Sequence, residues 1–248
     1  MFKNFTSKWS KLWLLSVIFL LNLFWGESLK AQFPYTEDFK KSAANTPDLV
    51  LGAGAGSQQA RLTGDGLTYS GITDPVGAGY LRLTDNQANQ AGFARSLTSF
   101  PSANGIAISF EYVIHSVSGG DGADGISFFL FDATAAGAFN IGGFGGSLGY
   151  DKRTDQTLPG VSKGFLGIGL DEFGNFSNPI QGRTGGAGAL SNSVSLRGDG
   201  DGITVSANNY EFLINSQTTP TYKIPGLIDP RGLADKNIDP VDVGYRKA

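Results

Sequence analysis

Short apolar segments separated by turn residues constrain the fold of this chain more than any other feature of its sequence. Residues 106–114 and 193–197 alternate apolar and polar side chains with the period of two that a half-buried β-strand requires. Residues 80–84 follow the same pattern, whereas 126–131 and 165–170 are more continuously apolar, as strands buried on both faces are. After the first thirty or so residues, no window of a dozen residues carries a helical period. The pattern predicts an all-β fold, either a sandwich or a barrel.

The N-terminal residues have the features of a secretory signal peptide. Three lysines precede an apolar stretch at residues 12–25, which is short for a membrane span, and Ala31 offers a small residue for cleavage. An uncleaved membrane anchor is the alternative. We therefore predict a signal peptide at residues 1–31 and one mature domain at residues 32–248, secreted or held at the cell surface. No transmembrane segment is expected once the signal peptide is removed.

Composition excludes some classes of partner. Removal of the signal peptide takes away four lysines and one glutamate, so the net charge of −3 becomes −6 in the mature chain. Such an acidic domain lacks the basic surface that nucleic acid requires. There is no cysteine, so the stability of an exported domain must come from its core or a metal ion instead of disulfides.

Residues suited to catalysis are scarce. The single histidine, His115, lies within an alternating strand pattern and has no neighbouring metal ligand, which favours a structural role. No phosphate-binding loop of the P-loop type is found. Asp171 and Glu172 are adjacent, so on a strand they point to opposite faces and do not form the paired acids of a sandwich glycoside hydrolase. We predict that the protein is not an enzyme.

Oxygen-bearing side chains follow two of the apolar strands. Asp124 stands at the entrance to the strand at 126–131, and Asp171, Asn175 and Asn178 follow the strand at 165–170. Carboxylate, amide and backbone oxygens are the ligands that calcium prefers. The alternatives are a turn aspartate that caps its own backbone and a polar loop hydrated by water. The pattern favours a calcium-organised binding site at the edge of the sheet.

Three separated motifs resemble the L-type, or legume-lectin-like, family in sequence and in order. They are Ala123-Asp124-Gly125 followed by Phe128-Phe129-Leu130, the glycine-rich loop at 142–150, and the loop at 171–175. The resemblance extends from about Phe33 to the C-terminus and implies a concanavalin-like jelly-roll β-sandwich that binds sugars.

The resemblance implies roles for residues in the first two motifs. Asp124 is expected to accept hydrogen bonds from sugar hydroxyls, and the peptide bond between Ala123 and Asp124 is expected to be cis. Gly146 would donate its backbone N–H to the sugar, and Gly145 would permit the close approach.

The third motif implies both metal ligands and sugar contacts. Asp171, the backbone carbonyl of Phe173, Asn175 and Asn178 would bind Ca²⁺. Asn175 would also hydrogen-bond the sugar, and the ring of Phe173 would stack on its apolar face. The sequence departs from the family at two positions of this motif: Gly169 replaces a glutamate, and Asn178 replaces an aspartate. Because the family's histidine is missing as well, no second transition metal is expected.

These features together predict a lectin domain that recognises polysaccharide or glycoprotein glycans non-covalently. Residues 241–248 have the pattern of a strand that has only begun, so we expect a sandwich truncated at its C-terminal strands and possible further C-terminal domains. Two alternatives remain open: a structural or adhesion module of a larger surface protein with a degenerate sugar site, and a sandwich glycoside hydrolase.

Overall fold

A computed structural model describes residues 35–69, 71–85, 87–101, 105–114, 123–205, 208–217 and 245–247. The chain divides into two units, residues 1–36 and 37–248, and nearly all the described residues belong to the second. The predicted signal peptide at 1–31 and His115 lie outside the described residues. Among the residues described, no helix is long and apolar enough to span a bilayer.

The regular secondary structure in the described part of the chain is mostly β-strand with very little helix, which confirms the prediction of an all-β fold. The strands are β1 (Leu49–Ala53), β2 (Arg61–Leu62), β3 (Thr68–Tyr69), β4 (Ile72–Thr73), β5 (Leu81–Arg82), β6 (Gly92–Ser96), β7 (Glu111–Val113), β8 (Gly125–Phe131), β9 (Gly164–Asp171), β10 (Ser193–Arg197), β11 (Phe212–Gln217) and β12 (Tyr245–Lys247). Short 3-10 helices span Ala133–Ala138, Gly145–Ser147 and Thr154–Gln156.

The largest sheet has the order β11-β10-β9-β8, and each neighbouring pair is antiparallel. Smaller antiparallel pairs join β1 to β6, β2 to β5, β3 to β4 and β7 to β12. In the large sheet Asp171 pairs with Gly125 on one side and with Ser193 on the other. The last residue of β9 is therefore fixed between the start of β8 and the start of β10.

The sequence predicted the strands of the large sheet better than the outer ones. Residues 193–197 form β10 as expected, and β8 and β9 each begin one residue before the predicted stretch. Only the last part of the segment 106–114 is a strand, as β7, and two residues of 80–84 form β5. Part of the predicted C-terminal strand is present as β12, which pairs with β7.

The expectation that β8 and β9 are buried on both faces is wrong. Every residue of β8 is only half-buried, and the side chain of Phe165 in β9 is 61% exposed. An apolar run indicates that a strand is hydrophobic, but it does not indicate which of its residues the rest of the chain covers.

Glycines in the large sheet make room for buried aromatic rings. A side chain at Gly167 would overlap the ring of Tyr150, and one at Gly169 would overlap the ring of Phe176. Both rings are fully buried. Tyr150 also meets Tyr210 edge to face, with the ring centroids 5.3 Å apart. Because Gly167 and Gly169 have no side chains, the backbone of β9 forms the surface against which the rings of Tyr150 and Phe176 pack.

The packing of Phe176 predicts that Gly169→Ala destabilises the fold by about 1–3 kcal/mol, because the buried ring must move to accommodate one methyl group. Gly137→Ala is the matched control, since Gly137 is exposed and a β-carbon there meets nothing within 4 Å. That change should alter stability by no more than about 1 kcal/mol. Denaturant unfolding measures both; equal effects would contradict the packing argument.

Candidate functional site

Asp171 organises the loop that follows β9. Its carboxylate is fully buried, and its two oxygens accept hydrogen bonds from the backbone N–H groups of Gly174, at 2.7 Å, and Phe176, at 2.6 Å. The carboxylate therefore folds the loop back on the end of its own strand. Burial raises the pKa of Asp171 to about 7, although the two amide donors favour the ionised form.

Asp124 lies directly beside this loop, at the start of β8. The peptide bond between Ala123 and Asp124 is cis, as the resemblance implied. The carbonyl oxygen of Asp124 accepts hydrogen bonds from the backbone N–H groups of Glu172, at 3.0 Å, and Phe173, at 3.2 Å. These two bonds tie the start of β8 to the loop after β9.

The side chains of Asp124 and Asn175 converge as the sequence predicted. The Asn175 Nδ2 donates to the Asp124 Oδ1 across 3.4 Å, although the two residues are 51 positions apart. Burial raises the pKa of the half-buried Asp124 carboxyl, while Asn175 and the charges of Arg183 and Arg153 act in the opposite direction. Close by in the chain, the ring of Phe173 is 58% exposed.

The glycine-rich loop brings Gly145 and Gly146 to the same place. A β-carbon at Gly145, which has a φ of +66°, would lie 3.4 Å from the Asp124 Oδ2 and 3.1 Å from the Arg153 Nη1. Gly146 is buried, and a side chain there would overlap that of Asn175. The structure thus brings together the predicted sugar-binding residues, which are Asp124, Gly145, Gly146, Phe173 and Asn175.

Sequence reasoning missed the arginines of the site. Arg183 is 3% exposed, and its Nε donates to the carbonyl oxygen of Asn178 at 3.0 Å. Its Nη1 donates to the Ser147 Oγ and to the Gln181 Oε1, both at 3.1 Å. Arg153 lies on the other side of Gly145, with its guanidinium 4.4 Å from the centroid of the Phe144 ring. An arginine in the glycine-rich stretch 182–188 was the only indication in the sequence.

A second buried arginine lies beneath the site. The guanidinium of Arg197 donates to the carbonyl oxygens of Phe176, Thr184, Gly185 and Tyr210. Its Nη1 also lies 3.2 Å from the Asp151 Oδ2, and both side chains are fully buried. Burial raises the pKa of Asp151 and lowers that of Arg197 to about 10, and the attraction between the two charges opposes both effects.

Asp171, the only acid among the residues predicted to bind calcium, is already engaged in hydrogen bonds within its own loop. Each of its two carboxylate oxygens accepts a hydrogen bond from a backbone amide. In the part of the chain that the structure describes, no group of three or more His, Cys, Asp or Glu residues could hold a metal. Gly169, which replaces the glutamate expected at a second, transition-metal site, makes room for the Phe176 ring. Calcium binding stays a prediction, and no role of the site is derived through it.

The environment of Asp171 predicts an unusual titration. A carboxyl ¹³C resonance that Asp171→Asn removes should titrate with a midpoint of about 7. For comparison, the carboxyl of the exposed Asp132 has a lowered pKa because it accepts a hydrogen bond from the Thr134 N–H. Since ionisation of Asp171 is harder in the folded state, the stability it contributes is lost as the pH rises from about 4 to about 7. A midpoint below 4 would show that the two amide bonds outweigh burial.

Comparison with known proteins adds nothing to these observations. No family model matches the chain, and no curated protein matches it. The geometry of the site and the three motifs are therefore the basis for a functional inference.

Proposed function

We propose that this protein is a lectin domain of the L-type, with a jelly-roll sandwich fold, that binds glycans non-covalently at the edge where β8 and β9 meet the glycine-rich loop. The observation that carries the proposal is the hydrogen bond between the side chains of Asp124 and Asn175, at a loop that also carries the exposed ring of Phe173. A carboxylate and an amide suit the hydroxyl groups of a sugar, and an exposed aromatic ring on the same loop suits its apolar C–H face.

Each of these groups has a distinct role in the proposed complex. The Asp124 carboxylate accepts hydrogen bonds from sugar hydroxyls, and these are stronger than bonds between neutral groups because the acceptor is charged. Asn175 supplies a donor and an acceptor at the same point. The Phe173 ring packs against the C–H face of the sugar, and Gly145 lets the ligand approach the backbone closely.

The arrangement of the acidic groups supports binding without catalysis. Hydrolysis of a glycoside requires two carboxyl groups that act on opposite sides of one bond. Asp171, the acid that ends β9, is fully buried and bonded to the amides of its own loop, so it is not available as a partner for Asp124. We take the domain to be non-enzymatic and, from its N-terminal sequence, exported to the cell surface or beyond.

One observation favours a second candidate function, that of an adhesion module whose sugar site has degenerated. Asp124 is only half-exposed, and Asn178, at a position where the family has an acid, directs its backbone oxygen to Arg183. A site shaped in this way could retain its fold after losing its ligand. Such a module would contact protein partners through other surfaces of the domain.

The proposed role of Asp124 predicts that Asp124→Asn weakens glycan binding at least about tenfold, because hydrogen bonds to a charged acceptor contribute about 1.5–3 kcal/mol. A glycan array finds the ligand, and titration calorimetry measures its affinity for each variant. Asp132→Asn is the matched control, because this exposed carboxyl caps a distant 3-10 helix. Undiminished affinity in Asp124→Asn would remove Asp124 from the site, and a folded protein silent on every glycan would favour the adhesion module.

The raised pKa of Asp124 predicts the pH dependence of binding. The ionised carboxylate is the acceptor, so affinity should fall as the pH is lowered through the raised pKa, starting at a higher pH than for an exposed aspartate. Calorimetry between pH 7 and pH 4 tests this. The Asp124→Asn variant should have a flatter profile; an equal slope in both proteins would assign the titration to another group.

A further inference from the structure

Arg183 is an internal cation at the point where the loop after β9 meets the glycine-rich loop. Its side chain is almost completely buried, so its charge cannot be balanced by bulk water and must be balanced by the protein. The hydrogen bonds of its Nε and Nη1 reach both loops, through the carbonyl of Asn178 and the hydroxyl of Ser147. One side chain therefore bridges the two segments that carry the candidate site.

The remaining nitrogen of Arg183 lies next to Gly146 of the glycine-rich loop. Its Nη2 is buried and has no hydrogen-bond partner. A β-carbon on Gly146 would lie 3.3 Å from this nitrogen and 3.2 Å from the Asn175 Cγ, so both are close to the same point. The positive charge of Arg183 therefore lies in the neighbourhood of the Asn175 amide.

The charges around Arg183 are those that a bound cation would balance. Burial lowers the pKa of the guanidinium, and the negative charges of Asp151, Asp171 and Asp124 oppose that effect. An arginine keeps its charge throughout the physiological pH range. Its Nε donates to the backbone carbonyl of Asn178, whose side chain the sequence predicted to be a calcium ligand.

We propose that Arg183 takes the place of calcium in this protein, so that a guanidinium held by the chain itself positions Asn175 and the loop at 172–178. The site is then organised without a metal ion. Asp171 fastens the loop to the end of β9, and Arg183 fastens the same loop to the turn at Gly145–Ser147. Arg183 is a positioning residue that acts through Asn175. The inference rests on the proposed function only for the identity of the ligand.

The first test is the response of the unmodified protein to calcium. Thermal unfolding in millimolar CaCl₂ and in EDTA should give midpoints that agree within about 1 °C, because an ion that binds only the native state would raise the midpoint. Calorimetry with CaCl₂ should show no binding. If a glycan ligand is found, its affinity should be the same in both solutions. Saturable calcium binding with a rise of several degrees would overturn the proposal.

The second test replaces the guanidinium and follows the loop directly. In Arg183→Met, amide hydrogen exchange at Phe173, Gly174 and Phe176 should accelerate at least about tenfold, while exchange in the strand β10 changes less. Arg153→Met is the matched control, because Arg153 is also close to Gly145 but bonds to the exposed Asp155 instead of the loop. The control should leave loop exchange unchanged.

Arg183→Lys keeps the charge but loses the planar fork, and it should restore part of the protection lost in Arg183→Met. This variant also serves if Arg183→Met does not fold. Loop exchange in Arg183→Lys that matches the unmodified protein at every amide would show that the fork is not needed, and unchanged exchange in Arg183→Met would overturn the positioning role. A silent glycan array would contradict the lectin proposal alone, since neither the exchange nor the calcium measurements depend on a glycan.

Discussion

The site depends most on the hydrogen bonds that the guanidinium of Arg197 donates to the surrounding backbone. From β10 this guanidinium donates to carbonyls of the loop after β9, of the glycine-rich stretch at Thr184–Gly185 and of Tyr210. Those carbonyls belong to irregular backbone, which in a buried position needs hydrogen-bond partners as much as a strand does. A single side chain meets that need for three segments at once. The ion pair with Asp151 balances its charge inside the core.

Two arginines, Arg183 and Arg197, therefore stabilise the loop that carries Asn175. Arg197 lies behind the loop and fixes it to the sheet, whereas Arg183 joins it to the turn at Gly145–Ser147. Both side chains are buried and both use several donors, a task for which a planar guanidinium is better suited than an ammonium group. The interior of this domain is accordingly polar on one side of β9. The rings of Tyr150, Phe176 and Tyr210 supply the apolar core close by.

The sequence predicted the strands and motifs of the large sheet because those features are local. Alternation identified β10 to the residue, and the acids and amides at the ends of two apolar runs indicated that Asp124 and Asn175 would meet. The structural roles of Arg183 and Arg197 could not be predicted, because they depend on hydrogen bonds to backbone carbonyls far away in the sequence. Such contacts produce no periodic pattern of residues. The exposure of Phe165 was not predicted for a related reason: the hydrophobicity of a residue does not reveal whether the rest of the chain covers it.

The hydrogen bonds from the amides of Glu172 and Phe173 to the carbonyl of Asp124 have a consequence for how this site can change. Because they join main chain to main chain, they do not depend on which side chains stand at positions 172 and 173. The position of Asp124 is therefore fixed by backbone hydrogen bonds and not by the side chains that surround it. If the edge binds glycans as proposed, substitutions at Phe173 change the surface that meets the ligand while Asp124 stays in place, so selectivity can diversify without rebuilding the scaffold.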